Sequence, residues 1–326
     1  VDFADINGDG IPDIFVSNIA DDYALHESHF LWLSTGNVQE MQQGRAPYVQ
    51  AGERLGVSRS GWGGDARMAD FDNDGKLEIV QAVGFVKGTI NRWPELQALG
   101  TSNDSLVHNP RLWPAFRPGD DVSGHNETPF FVEGADHRYY NIAPETGIVS
   151  STPSRGIAVA DIDGDGRLDF IIASQWGDSY LYKNEGAPSG AFLGLHLLLP
   201  VEGGPTAFEA RPGHPGPDIY GRPAIGASAT VQLPNGKKFS AQVDGGSGHS
   251  GKRAPELHFG LGPLSADTPL LVDLAWRDNH GKVVRRKITL KPGWHTLRLG
   301  DLPAGVYVVR LSQAGRSLTS RVAVIR

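Results

Sequence analysis

Asp161, Asp163, Asp165 and Asp169 stand at positions 1, 3, 5 and 9 of a nine-residue stretch whose sixth residue is Gly166. Carboxylates set so close repel one another unless a hard cation sits among them. Calcium suits such a cage, because it accepts about six to eight oxygen ligands in loose geometry, including a backbone carbonyl at position 7. That residue is Arg167. The glycine provides a left-handed turn that other residues adopt only at a cost. Asp5, Asn7, Asp9 and Asp13 repeat the pattern, with one amide for a carboxylate and Ile11 in seventh place. Asp70, Asp72, Asp74 and Glu78 repeat it again, with Lys76 seventh. A lone stretch of this kind is as readily a solvated acidic turn. Three copies, each flanked by apolar residues, predict three calcium ions. The first loop is expected to bind most weakly, since Asn7 replaces a carboxylate and Pro12 stiffens the exit.

The flanks say which elements hold these loops. A helix–loop–helix site needs a bidentate Glu at position 12, where this chain has Val16, Gln81 and Ile172. Each loop is followed instead by a short β-prone run: Ile14–Val16, Ile79–Val80 and Phe170–Ile172. Gly156–Ala160, before the third loop, is also strand-like. The unit is a β-hairpin whose turn is a metal loop, and its repetition predicts radial blades.

The chain has 326 residues, 39 % hydrophobic and 21 % charged, with 42 Gly and 22 Pro. That composition predicts an all-β class and two domains. The net charge is −7, yet eleven of the 37 acidic side chains lie in the three loops, leaving 26 against 30 basic ones. Acidity therefore belongs to the metal sites, and no basic run with interleaved aromatics points to nucleic acid. Cysteine is absent, so stability outside the cell would rest on packing and bound calcium. Millimolar extracellular calcium fills loops of modest affinity that the cytosol would leave empty. No apolar run is long enough to span a membrane.

Residues 1–188 are read as three or four blades, the first Asp of each loop falling at 5, 70 and 161. Phe30–Asn37 and Tyr180–Gly186 are aromatic strands ending in Asn/Gly turns. After Val83 an insertion rich in Trp, Pro and Asn runs over 84–128, with a short helix expected at Asn91–Leu99. Residues 189–300 alternate as half-buried strands, as in Ala229–Leu233 and Leu271–Trp276, and predict a β-sandwich or barrel. Val1 already lies in a strand, so an upstream portion is expected to have been removed, processed or left out. The open first blade is expected to pair with polypeptide from outside 1–188. The candidates, in order, are upstream blades, another copy or subunit, and last the C-terminal domain folding back.

The run Ala160–Gly166 followed by Leu181–Gly186 resembles the FG-GAP/VCBS repeats of integrin-like β-propellers. Further on, Ala224–Ala227, Gly245–Ser250 and Leu257–Gly262 resemble the ASPIC/UnbV domain that follows such repeats in bacterial relatives of cartilage acidic protein. Trp276 sits where that family has a Trp-Pro pair, with Arg277 replacing the proline. The resemblance implies a secreted bacterial calcium-binding protein of the adhesion or matrix kind, with a protein or polysaccharide partner at the cell surface. It implies no reaction. Residues 301–326, with Gly305–Leu311 and Ser320–Arg326, are similar to the sorting domain of type IX secretion, or are a plain closing hairpin.

Other clusters carry less. His26, Glu27 and His29 lack a third ligand at fitting spacing and read as loop surface. Ser247, His249 and Ser250 lack the nucleophile elbow, because Lys252 stands where its last glycine belongs. Trp93, Trp113, Phe116, Tyr139 and Tyr140 either stack on sugars or pin the insertion to the blades. Asn103 and Asn126 open glycosylation sequons. A polysaccharide lyase would need a base and a Lys or Arg converging on one face, and no such spacing is recognised. The chain is read as a binding or structural protein without a catalytic site, the alternatives being a filament or assembly subunit and a lyase-like enzyme.

Overall fold

A computed structural model describes the chain except residues 23–26, 103, 187–189, 202–206, 218–220, 247–251, 301–304, 314–315 and 325–326. Five sheets, of four, five, four, five and four strands, make up a propeller-like arrangement; the first three are blades, and the last two interleave along the chain and face each other. The first three carry the acidic loops. In each, two antiparallel strands are joined by the loop: Asp2–Ala4 to Asp13–Val16, Gly61–Ala69 to Glu78–Val83, and Ser154–Ala160 to Asp169–Ser174. The register is the same each time. The alanine before loop position 1 faces position 9, as Ala4↔Asp13, Ala69↔Glu78 and Ala160↔Asp169. Phe30–Ser34, Phe130–Glu133 and Tyr180–Tyr182 supply the third strand of each blade.

Blade-on-blade burial explains the middle hairpin. Every residue of Glu78–Val83 is buried, whereas Asp13–Val16 alternates. Ile79 packs toward blade 1 with Phe15, Leu31 and Met68, while Val80 packs toward blade 3 with Ile157, Phe170 and Ile172. A strand covered on both faces need not alternate, and the one polar residue inside it, Gln81, hydrogen-bonds to Ser60 and Ser17. Asp65 ties blades 2 and 3: its carboxylate pairs with the fully buried Arg67 at 3.0 Å and accepts the Ile157 amide at 3.0 Å.

The insertion is pinned by aromatics. Trp62 stacks on Phe85 with centroids 4.5 Å apart, Trp93 tilts against Trp62, and Trp93 Nε1 donates to Ser123 Oγ at 2.9 Å. The helix here is Trp93–Gly100, not Asn91–Leu99. Asn91 stays outside it because its Oδ1 accepts the Trp93 amide, and Pro94 opens the first turn. A second short helix covers Asp104–Val107.

From Ala191 onward two sheets share one core. Leu193, Leu195 and Leu197 of Ala191–Leu199 meet Val231, Val272, Leu274 and Trp276 of the facing sheet. The period of two puts these leucines inward, so Phe192 and His196 point out of the sandwich, toward blade 3. The terminal strands Gly305–Gln313 and Arg316–Val324 form a hairpin and, among the described residues, pair with each other alone.

The C-terminal domain, the least expected neighbour, does fold back onto the blades. Strand Lys252–Arg253 runs parallel to the inner strand of blade 3, with Ala158↔Lys252 and Val159↔Arg253. The Arg253 side chain then reaches Asp2 of blade 1 at 3.0 Å and the Met68 carbonyl of blade 2 at 2.6 Å. Sequence alone hid this, because the pairing segment is two residues long and lies next to a glycine-rich run.

Arg253→Ala should therefore destabilise the blades toward the lower end of about 3–5 kcal/mol, the cost of stripping one partner from a buried pair. Adding Asp2→Leu to Arg253→Ala should restore part of the loss, as read by denaturant unfolding. Equal stability of Arg253→Ala and the parent chain would show that the pin is idle.

Candidate functional site

All three loops share one hydrogen-bond scheme. The position-1 carboxylate accepts the amide of the position-6 glycine: Gly10 to Asp5, Gly75 to Asp70 and Gly166 to Asp161, each at 2.8 Å. The position-3 side chain accepts the position-5 amide, through Asn7 at 3.0 Å, Asp72 at 3.0 Å and Asp163 at 3.3 Å. The position-5 carboxylates, Asp9, Asp74 and Asp165, accept the amides of Ile11, Lys76 and Arg167. Position 9 reaches back to the position-2 amide: Asp13 to Ile6, Glu78 to Phe71 and Asp169 to Ile162. Asp13 and Asp169 also accept the Ser34 and Asn184 amides, which ties each loop to its third strand. The sixth-position glycines have φ of 85–88°, the left-handed region.

These bonds bring oxygens together. One oxygen each from Asp70, Asp72 and Glu78 lies within 4.8 Å of the others, as does one each from Asp161, Asp163 and Asp169. In loop 1 the equivalent third oxygen belongs to the Asn7 amide. Asp74 and Asp165 stand outside these clusters, held by their Asx turns. Cations already visit loop 3: Lys183 pairs with Asp163 at 2.9 Å, and Arg167 pairs with Asp165. Lys76 instead turns to Glu133 at 3.3 Å.

Loop 2 is the most deeply buried. Asp70 is 3 % exposed and Glu78 4 %. Asp70 Oδ1 is sealed from solvent with no hydrogen-bond partner, and so is Asn73 Oδ1. Desolvation pushes Asp70 up to about 7 and Asp13 up to about 6, and raises Glu78 well above the usual carboxylate range. A Lys183 hydrogen bond holds the exposed Asp163 below it. A buried carboxylate with an unmet oxygen is costly unless a proton or a cation joins it. The residues fit a hard cation.

The sandwich lies on these loops, which sequence reading missed. Trp294 Nε1 donates to Asp161 Oδ2 at 2.8 Å, and the Gly262 amide donates to the Asn73 carbonyl at 2.9 Å. The outward phase of Phe192 and His196 was legible; their target was not. Between blades and sandwich lies a cavity of about 1010 Å³, lined by Phe3, Leu55, Met68, Tyr139, Phe239 and Arg253 among others.

Other candidates separate. His29 is buried, not loop surface: its Nδ1 accepts the Asn18 amide at 3.0 Å and its Nε2 meets Ser60 at 2.7 Å. The reason is local, since Phe15 packs beside it in the blade core. His26, Asn103, Ser247, His249 and Ser250 lie outside the described residues. Trp93 and Tyr139 are buried as pins, while Trp113, Phe116 and Tyr140 are exposed. Asn126 is held by the Trp62 amide and Asp21.

Comparison with known families agrees with this architecture. The family model for FG-GAP-like repeat matches residues 5–80, FG-GAP repeat matches 155–191, and ASPIC and UnbV matches 219–304. No curated protein sequence matches the chain at a significant level. One solved structure is described as a Ca2+-stabilized adhesin that helps an Antarctic bacterium reach out and bind ice. It aligns over 93 % of this chain and 72 % of its own, at 12 % identity and a TM-score of 0.17, a score too low to carry an argument. The chain carries FG-GAP repeats on a β-propeller arrangement, followed by an ASPIC/UnbV domain.

Proposed function

We propose that this is a secreted or cell-surface calcium-binding protein with a binding, adhesion or structural role, in which calcium rigidifies the blades. One observation carries the reading. Two blade loops gather three carboxylates each within 4.8 Å, and the deeper one seals an unpartnered Asp70 oxygen away from water. The ligands would be Asp5, Asn7, Asp9, Asp13 and the Ile11 carbonyl in loop 1. Loop 2 would offer Asp70, Asp72, Asp74, Glu78 and the Lys76 carbonyl. Loop 3 would offer Asp161, Asp163, Asp165, Asp169 and the Arg167 carbonyl. Calcium there supplies charge neutralisation, not reaction chemistry.

The extracellular assignment is supported by the millimolar calcium such loops suit and by the repeat family. The likeness of the terminal hairpin to a type IX sorting domain supports export. The partner is read as a protein or polysaccharide, and the apolar cavity beside the blades offers it room. Binding to cell-surface glycan arrays or matrix protein tests this. Release of unsaturated uronate from polysaccharide would favour a lyase instead, and fibres in electron micrographs would favour an assembly subunit.

Three measurements test the calcium role. Titration calorimetry should find three calcium ions, and chelation should lower the melting temperature by several degrees; an unchanged melting curve would contradict a structural role. Asp72→Ala, which breaks the buried loop, should lower it more than Asp9→Ala in loop 1. Asp163→Ala should exceed the about ±0.5 kcal/mol of an ordinary surface change, but only when calcium is present.

A last test concerns pH. Asp13 and Asp70 titrate near 6 and 7 in the folded chain, above the ordinary 3.8. A raised folded value gives stability that is full below the unfolded value and lost as pH rises through the folded one. The chelated protein should therefore lose melting temperature between about pH 4 and pH 7, from the unfolded value up to the folded ones. Calcium should remove that loss, because it takes the proton's place. Identical pH profiles with and without calcium would overturn the assignment.

A further inference from the structure

The sandwich touches loops 2 and 3 at the atoms that matter for a cation. Asp161 Oδ2 accepts two donors, Gly166 from its own loop and Trp294 Nε1 from the sandwich, both at 2.8 Å. Asp70 Oδ2 lies so close to Gly260 that a Cβ there would stand 1.8 Å from it. That contact helps shut water away from the Asp70 carboxylate. Between them, the Gly166 carbonyl accepts both Asn73 Nδ2 at 3.1 Å and His258 Nε2 at 3.1 Å, joining loop 2, loop 3 and the sandwich at one atom. Phe192 also leaves no room at Gly166, where a Cβ would meet its ring at 2.1 Å. Loop 1, by contrast, takes no hydrogen bond from the sandwich among the described residues; Lys237 and Ser240 only pass near Gly8 and Gly10.

We propose that the metal sites of loops 2 and 3 are composite: the blades supply the ligands, and the ASPIC/UnbV sandwich supplies the outer shell that aims and seals them. The proposal rests on the calcium reading above. Trp294 holds the rotation of the Asp161 carboxylate, and the bare α-carbon of Gly260 closes the dry side of Asp70. Outer-shell partners of this kind govern affinity by about 10–100-fold. Linkage then works in both directions. Whatever the docked sandwich adds to calcium affinity, calcium adds equally to docking. A sealed, uncompensated carboxylate pushes the two domains apart, and the cation removes that penalty. The same cations that stiffen the blades thus fasten the second domain to them.

The test uses the full chain. Calcium isotherms are compared for the parent, Trp294→Phe and Gly260→Val, with circular dichroism and chelated melting curves showing that each variant folds. Trp294→Phe keeps an aromatic ring against His196 and His214 but removes the donor. It should weaken one binding step about tenfold and leave the loop 1 step unchanged. Its melting temperature should fall with calcium present and hold in chelator, which a merely structural tryptophan would not do. Since the chain lacks cysteine, dyes on Val38→Cys and His280→Cys, both exposed, report docking by energy transfer. Chelation should lower the transfer. Isotherms of both variants that match the parent, or transfer that ignores chelation while calcium still binds, would overturn the composite site. No calcium binding by the parent would overturn the underlying calcium reading and this inference with it.

Discussion

Repulsion among carboxylates that the fold refuses to let apart is the constraint on which this structure depends. The register that sets Ala69 opposite Glu78 and Ala160 opposite Asp169 brings positions 1 and 9 of the loop together at the hairpin's end. Backbone amides then clamp the oxygens from behind. Such a hairpin turn concentrates charge. Burial makes that charge expensive, and a proton or a cation joining the carboxylates would relieve it.

The rest of the molecule follows from where that charge sits. The loops lie at one end of the blades, and the sandwich rests on that end. Arg253 works at the axis by a different means, joining blade 1 and blade 2 through Asp2 and the Met68 carbonyl while its backbone extends blade 3. Buried Arg67 and Asp65 do the same between blades 2 and 3. Blade packing is thus apolar on the faces and ionic toward the hub. A cavity remains between hub and sandwich.

Much of the candidate site was legible in the sequence because it is local. Nine contiguous residues carry the candidate oxygens, and glycine at position 6 records the left-handed turn directly. The strands were legible through alternation at Ala229–Leu233 and Leu271–Trp276. What escaped is non-local. Nothing near Trp294 or Gly260 says that they meet Asp161 and Asp70, which lie more than a hundred residues away. His29 read as surface because its neighbours Glu27 and Ser28 are polar, yet Phe15 and Ser60 enclose it in the fold. The Asn91 start of the insertion helix failed because an Asx side chain competes with the helix for the first amide.

The most direct measurement is anomalous diffraction from crystals of the full chain grown with calcium. The account predicts one anomalous peak in each of the three loops, with carboxylate oxygens at about 2.3–2.6 Å and Lys183 released from Asp163. Loops without peaks, with Lys183 and Arg167 still paired to Asp163 and Asp165, would contradict it.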